Sequence, residues 1–177
     1  MKAFKYSDLS LIPNYSDCRS RSSCDTSIKI GRHQFKLPII PANMKAVINE
    51  QTCKWLSHNG YFYIMHRFDI DIQAFIEKAN QENWPFVSVS VGVKEEDKQL
   101  ISNLRASKAR IDFITIDIAH GYSRLMCDML RHIRSQLGSG VCVIAGNVAT
   151  PDAVVALNAW GADYVKVGIG QGSPCIT

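Results

Sequence analysis

The chain has 177 residues, 46% of them apolar and 20% charged, with a formal net charge of +4. That balance is ordinary for a globular domain with a real core, and the scattered basic residues form no stripe of the kind that tracks nucleic acid. No apolar run reaches the length of a membrane span, and the N-terminus, MKAFKYSDLS, is too polar for a signal peptide.

The first 36 residues read as an N-terminal extension. Within it SDCRSRSSCD is a polar, Ser-rich loop, and TSIKI-GR-HQFKL is a hairpin with Gly31 in its turn. From 37 to 177, six β-type runs follow: LPIIPANM (37–44), YFYIMHR (61–67), FVSVSVG (86–92), FITIDIA (113–119), VCVIAGNV (141–148) and YVKVGIG (164–170). Their centres recur roughly every 25 residues, the length of one strand, one helix and two loops. The intervening segments carry helix signals. KEEDKQLISNLRASKA places acids early and bases late, which suits the helix dipole, and its acidic start, Glu95–Asp97, reads as a solvated face. SRLMCDMLRHIRSQLG sets Leu125, Met129, Leu130 and Ile133 at helical spacing on a core face, with Gly138 beyond. TPDAVVALNAWG has Thr150 as N-cap, Pro151 at the first helical position, Asp152 in the first turn and Gly161 as its stop.

Alternating strands and helices imply a parallel α/β fold, either an open doubly wound sheet or a (β/α)₈ TIM barrel. The barrel is preferred because polar residues end nearly every strand: Asn43, His66 and Arg67, Asp117 and His120, then Asn147. A barrel gathers those ends on one face. The expectation is a single partial domain: residues 1–36 as extension and hairpin, and 37–177 as six β/α units of a barrel that needs eight.

The last stretch, VGIGQGSPCIT, is the sharpest local signal. Gly168, Gly170 and Gly172 let the backbone approach a ligand, Ser173 adds a hydroxyl donor, and the loop's N–H groups suit an anion or its carbonyls a monovalent cation. The alternative is a plain tight turn. Cys175 at the loop tip is a candidate nucleophile if its surroundings favour the thiolate, and otherwise an incidental cysteine; Thr177 is close enough in sequence to relay a proton. Asp117, at the end of an apolar strand, needs a ligand or a salt-bridge partner. His66 and His120 read as acid–base groups or as hydrogen-bonded loop residues, and Asn43 and Asn147 as amides for a base or sugar, or as loop caps. The six cysteines (Cys18, Cys24, Cys53, Cys127, Cys142, Cys175) show no CxxC pair or zinc spacing. Reduced thiols in the cytoplasm are expected, with Cys142 as packing.

Several motifs in order, LPIIPANM, YIMHRF, SVSVGVKEED, ITIDIAHGYS, VIAGNV, GADYVKVGIG and the closing Gly-Ser-x-Cys-x-Thr, resemble the family shared by GMP reductase and IMP dehydrogenase, with DIAHG and CIT similar to the shorter bacterial reductases. Between Arg67 and Phe86 there is no room for the regulatory insertion usual in IMP dehydrogenases. The resemblance implies NADPH-dependent reductive deamination of GMP to IMP with loss of ammonia. Cys175 would form a thioimidate with the purine, and Thr177 would relay the proton. Ser173 would meet the phosphate, and Met44 and Asn147 the purine. Asp117, Ala119, Gly168, Gly170, Ser20, Arg21 and Arg67 would face the cofactor, and the carbonyls of Gly170, Gly172 and Cys175 would hold potassium. It also implies a homo-oligomer, a tetramer in full-length relatives, and no nucleic-acid or membrane partner. Two departures stand out: Gln171 where relatives have proline, and Pro174, which fixes φ and removes an N–H just before the cysteine. Family members continue for over a hundred residues beyond this point, so this length is expected to be inactive. Alternatives are an IMP dehydrogenase, or a non-catalytic remnant that associates with a full-length relative.

Overall fold

The computed structural model describes residues 8–170. A short hairpin comes first, β1 (Ile28–Ile30) and β2 (His33–Phe35), paired antiparallel with Gly31 at φ +58° in its turn. Then follow α1 (Glu50–His58), α2 (Ile72–Gln81), β3 (Ser88–Val91), α3 (Glu95–Ser107), β4 (Phe113–Asp117), α4 (Arg124–Leu137), β5 (Cys142–Val148), α5 (Pro151–Trp160) and β6 (Tyr164–Val167).

Strands β3 to β6 form one parallel sheet in strict sequence order. Residues 61–67 continue it on the β3 side: Met65 N–H donates to Ser88 O at 3.1 Å, and Ser90 N–H to Met65 O at 2.8 Å. The order never reverses, whereas an open doubly wound sheet must reverse at its switch point. Five consecutive parallel segments with every crossover alike are the wall of a (β/α)₈ barrel, and the barrel reading holds.

The first expected strand differs. Residues 37–44 make no ladder, because Pro38 and Pro41 remove two N–H donors from a short run. The segment instead meets the sheet through Asn43, which is buried and bonds to β4 and β6.

Side chains alternate across the strands. The outer face carries Val89, Val91, Ile114, Ile116, Val143 and Ala145, all buried. Over them pack Ile101 and Leu104 of α3, Met126, Met129, Leu130 and Ile133 of α4, and Ala153 and Leu157 of α5. Leu125 is a correction: it is 58% exposed. The buried stripe runs through Met126 and Ile133, and Leu125 stands about 100° off it at the helix start. Thr150 caps α5 by accepting the Ala153 N–H at 3.3 Å, and Pro151 and Gly161 bound that helix as expected.

The concave face is layered. At its N-terminal end Phe62, Phe86 and Phe113 meet Phe35 of the hairpin, ring centres 5.0 to 6.2 Å from it, so β1–β2 plugs the bottom. Above lie Ser90, Thr115 and Ile144, then Asp117, Gly146 and Lys166, each set side by side by the register.

Candidate active site

At the C-terminal end of the sheet three polar side chains close a ring. Lys166 Nζ donates to Asp117 Oδ1 at 2.6 Å and to Asn43 Oδ1 at 3.2 Å, and Asn43 Nδ2 donates to Asp117 Oδ2 at 3.0 Å. Asp117 and Lys166 sit on β4 and β6, with β5 between them. They meet because the residue opposite both on β5 is Gly146. A Cβ there would lie 2.6 Å from Lys166 Cβ and 2.8 Å from Lys166 O, so any side chain would fill the gap that the ion pair crosses.

Asp117 finds a salt-bridge partner on β6, and Asn43 bridges the pair. Lys166 and Gly146 were missed by sequence reasoning. A lysine inside the apolar run YVKVG was as strong a signal as Asp117, but its partner depends on register.

Asn147 follows Gly146. Its Nδ2 donates to Gly168 O at 3.1 Å, while Gly168 N–H donates to Val148 O at 2.8 Å. The glycine run therefore starts against the β5 end. Asn147 O accepts the Gly121 N–H at 2.7 Å, and a Cβ on Gly121 would come within 2.9 Å of that oxygen; the loop after DIAHG thus packs on the same rim. Among the described residues the side-chain Oδ1 of Asn147 is buried with no partner, an acceptor that a ligand N–H would satisfy.

Arg67 stands farther round. Its guanidinium lies 4.8 Å over the Phe68 ring, and its Nε is buried without a partner among the described residues. It lines a cavity of about 410 Å³ with Ser90, Asp97 and Asn103. His66 is buried and its Nδ1 accepts the Phe68 N–H at 3.2 Å, which makes it a loop-holding group. Asp97 corrects the solvated-face reading of the α3 start: its carboxylate accepts the N–H of Gly92 at 2.8 Å and of Lys94 at 2.9 Å. Met44, Ala119 and His120 are exposed on the rim side. Ser20 and Arg21 lie in the exposed loop before the hairpin, and among the described residues their hydrogen bonds reach no farther than residues 18–24. Gly172, Ser173, Cys175 and Thr177, with Gln171 and Pro174, fall outside the described residues. A second cavity, about 390 Å³, opens at the opposite, hairpin end beside Arg32, Asp112 and Tyr164.

Fold and rim together define a segment of a (β/α)₈ barrel with a polar, ligand-type mouth at the strand C-termini. Residues 3–177 match the model of the IMP dehydrogenase/GMP reductase domain. The chain is similar over its full length to GMP reductases of Mesoplasma florum, 50% identical, and Staphylococcus saprophyticus, 49% identical, and covers 55% and 54% of those proteins. It superposes on the crystal structure of inosine 5′-monophosphate dehydrogenase from Legionella pneumophila with a TM-score of 0.83 and 33% identity, over 98% of this chain and 53% of that one. The chain belongs to the IMP dehydrogenase/GMP reductase family. It spans about half the length of the curated relatives it matches.

Proposed function

We propose that the chain carries the cysteine-bearing part of a GMP reductase, which converts GMP and NADPH to IMP, ammonia and NADP. The observation that supports this best is the meeting of Asp117, Lys166, Asn43 and Asn147 on one rim, where the glycine run toward Cys175 begins. The Cys175 thiolate attacks C2 of the purine, and Thr177 relays the proton that lets ammonia leave, giving a thioimidate. Ser173 holds the GMP phosphate; Met44 and Asn147 line the purine. NADPH, when bound, would supply hydride to C2, and cleavage of the C2–S bond would then release IMP and return the Cys175 thiolate.

The residues present suit both ligands. Among the described residues Asn147 Oδ1 is an unfilled acceptor and Arg67 Nε an unfilled donor, each buried. Each Asp117 oxygen takes one hydrogen bond within the ring and keeps capacity for a ribose hydroxyl or an amide. On the cofactor side the reading assigns Asp117, Ala119, Gly168, Gly170, Arg67, and Ser20 with Arg21. Potassium would rest on the carbonyls of Gly170, Gly172 and Cys175. The same reading makes the protein a cytoplasmic homo-oligomer, a tetramer at full length.

The test is to extend the chain beyond Thr177 with the remaining length of the Mesoplasma florum relative and follow nicotinamide absorbance. NADPH oxidation that requires GMP and vanishes in Cys175→Ala is expected. Turnover of IMP with NAD instead would replace the reading by IMP dehydrogenase. The 177-residue chain alone is expected to turn over neither pair.

A further inference from the structure

Two thiols lie away from the rim and have no part in the chemistry above. Cys18 and Cys24 are exposed, and they flank the single turn Arg21–Ser23. Ser23 N–H donates to Ser20 O at 3.0 Å and Cys24 N–H to Arg21 O at 3.2 Å. That turn folds the chain back until the two sulfurs are 3.5 Å apart. The other described cysteines are unlike them. Cys53 is fully buried, its thiol 3.5 Å from the Met65 sulfur, and burial pushes that thiol up. Burial, with Asp163 nearby, pushes Cys142 up to about 12. Cys127 is buried under α4. Among the described residues no group of three His, Cys, Asp or Glu side chains stands ready for a metal, so the pair lacks a zinc ligand set.

We propose that Cys18 and Cys24 form a reversible dithiol–disulfide couple that closes a loop around Ser20 and Arg21 when the protein meets a low-molecular-weight disulfide. From 3.5 Å the sulfurs need to approach by about 1.5 Å to reach bonding distance, which side-chain rotation on an exposed loop can supply. Cys18 is the attacking thiol: hydrogen bonds with Ser23 and Cys24 hold it below the ordinary cysteine value. Its thiolate bonds to one sulfur of R–S–S–R and breaks the S–S bond; the departing RS⁻ takes up the proton that Cys18 lost. The Cys24 thiolate then attacks the Cys18 sulfur and expels the second RS⁻, which takes up the proton of Cys24. Two protein thiols are oxidised, and one small disulfide is reduced to two thiols. Any effect on NADPH rests on the reading that puts Ser20 and Arg21 at the cofactor; the pairing itself does not.

The test uses the reduced 177-residue chain, incubated with oxidised glutathione, alkylated at its remaining thiols and digested with trypsin. Cleavage after Arg19 and Arg21 parts the two cysteines, so a Cys18–Cys24 bond appears as two linked peptides that separate on reduction. That link should exceed any other pairing by at least about tenfold, as expected for neighbours at high effective concentration. Cys24→Ser should stop at glutathione held on Cys18, and Cys18→Ser should slow the reaction at Cys24. Wild-type chain that keeps glutathione on Cys18 without the link, or in which neither thiol reacts, would overturn the proposal.

Discussion

Gly146 shows how one missing side chain builds a site. Residues on alternate strands of a sheet stand about two strand spacings apart, close to 10 Å, so Asp117 and Lys166 can pair only by reaching over the strand between them. A Gly146→Ala substitution puts a methyl 2.6 Å from Lys166 Cβ. It is expected to lower the urea midpoint by an amount worth ~1–3 kcal/mol and, in the extended protein, to reduce turnover. Lys166 and Asp117 side chains are 29% and 25% exposed, between a surface pair worth under about 1 kcal/mol and a buried one. Lys166→Met should therefore cost ~1–2 kcal/mol, measured the same way, by leaving a half-buried carboxylate with Asn43 alone. Deeper inside, the hydroxyl of Thr115 is buried with no partner among the described residues. Thr115→Val keeps the shape and removes an unsatisfied group, so it should cost nothing and gain up to about 1 kcal/mol; a loss would mean that the hydroxyl is bonded in solution.

At the scale of elements, a repeated device ties strand to strand at the end away from the site. Asp112, just before β4, accepts the Val87 N–H at 2.8 Å, and Asp163, just before β6, accepts the Val143 N–H at 2.7 Å. Each carboxylate also meets an arginine, Arg110 at 3.5 Å and Arg134 at 2.6 Å. Arg134 in turn reaches Gly161 O, Gly138 O and Val141 O, so one side chain of α4 stitches the ends of α4 and α5 to the starts of β5 and β6. Asp163→Ala should destabilise by ~2–3 kcal/mol, since it removes a charge-assisted bond and strands its donors; a thermal-melting comparison with Thr150→Ala, a simple cap loss of ~1 kcal/mol, would check the ranking. The hairpin β1–β2 works at this scale too, because Phe35 seals the aromatic floor.

Over the whole molecule, burial of thiols and of Tyr63 makes stability depend on alkaline pH. Cys53 and Tyr63 are pushed up by burial, and Cys142 up to about 12 from its ordinary 9.0. A raised folded value means that the unfolded chain loses these protons first. Stability from these groups is complete below about pH 9 and falls as pH rises toward 12 and beyond, each fully titrated group adding a slope of at most about 1.4 kcal/mol per pH unit. Urea midpoints measured from pH 8 to 11 should decline, and less steeply in Cys53→Ala once its own cavity cost is subtracted. Large apolar side chains stand open in the 37–44 segment and on the last described strand, Ile39 at 65% exposure and Val167 at 64%. Self-association is the expected outcome, read as a sedimentation mass above the 19.8 kDa of one chain.

The alternation of β-type runs with capped amphipathic helices determined the parallel α/β class, the hairpin and the limits of α3, α4 and α5 by itself, since those depend on contacts a few residues apart; α1 and α2 carried no end signal that the sequence reading used. The same local chemistry marked Asp117 and Asn147 as out of place at apolar strand ends. Strand order, which separates a barrel wall from a doubly wound sheet, depends on pairing between residues far apart in the chain, and only the tertiary structure decided it. So did the loss of a first strand to Pro38 and Pro41, the outward turn of Leu125, and the ring of Asp117, Lys166 and Asn43. That ring needs three segments from positions 43 to 166 brought into register over a glycine, and register is a property of the folded sheet, which no single strand carries in its own residues.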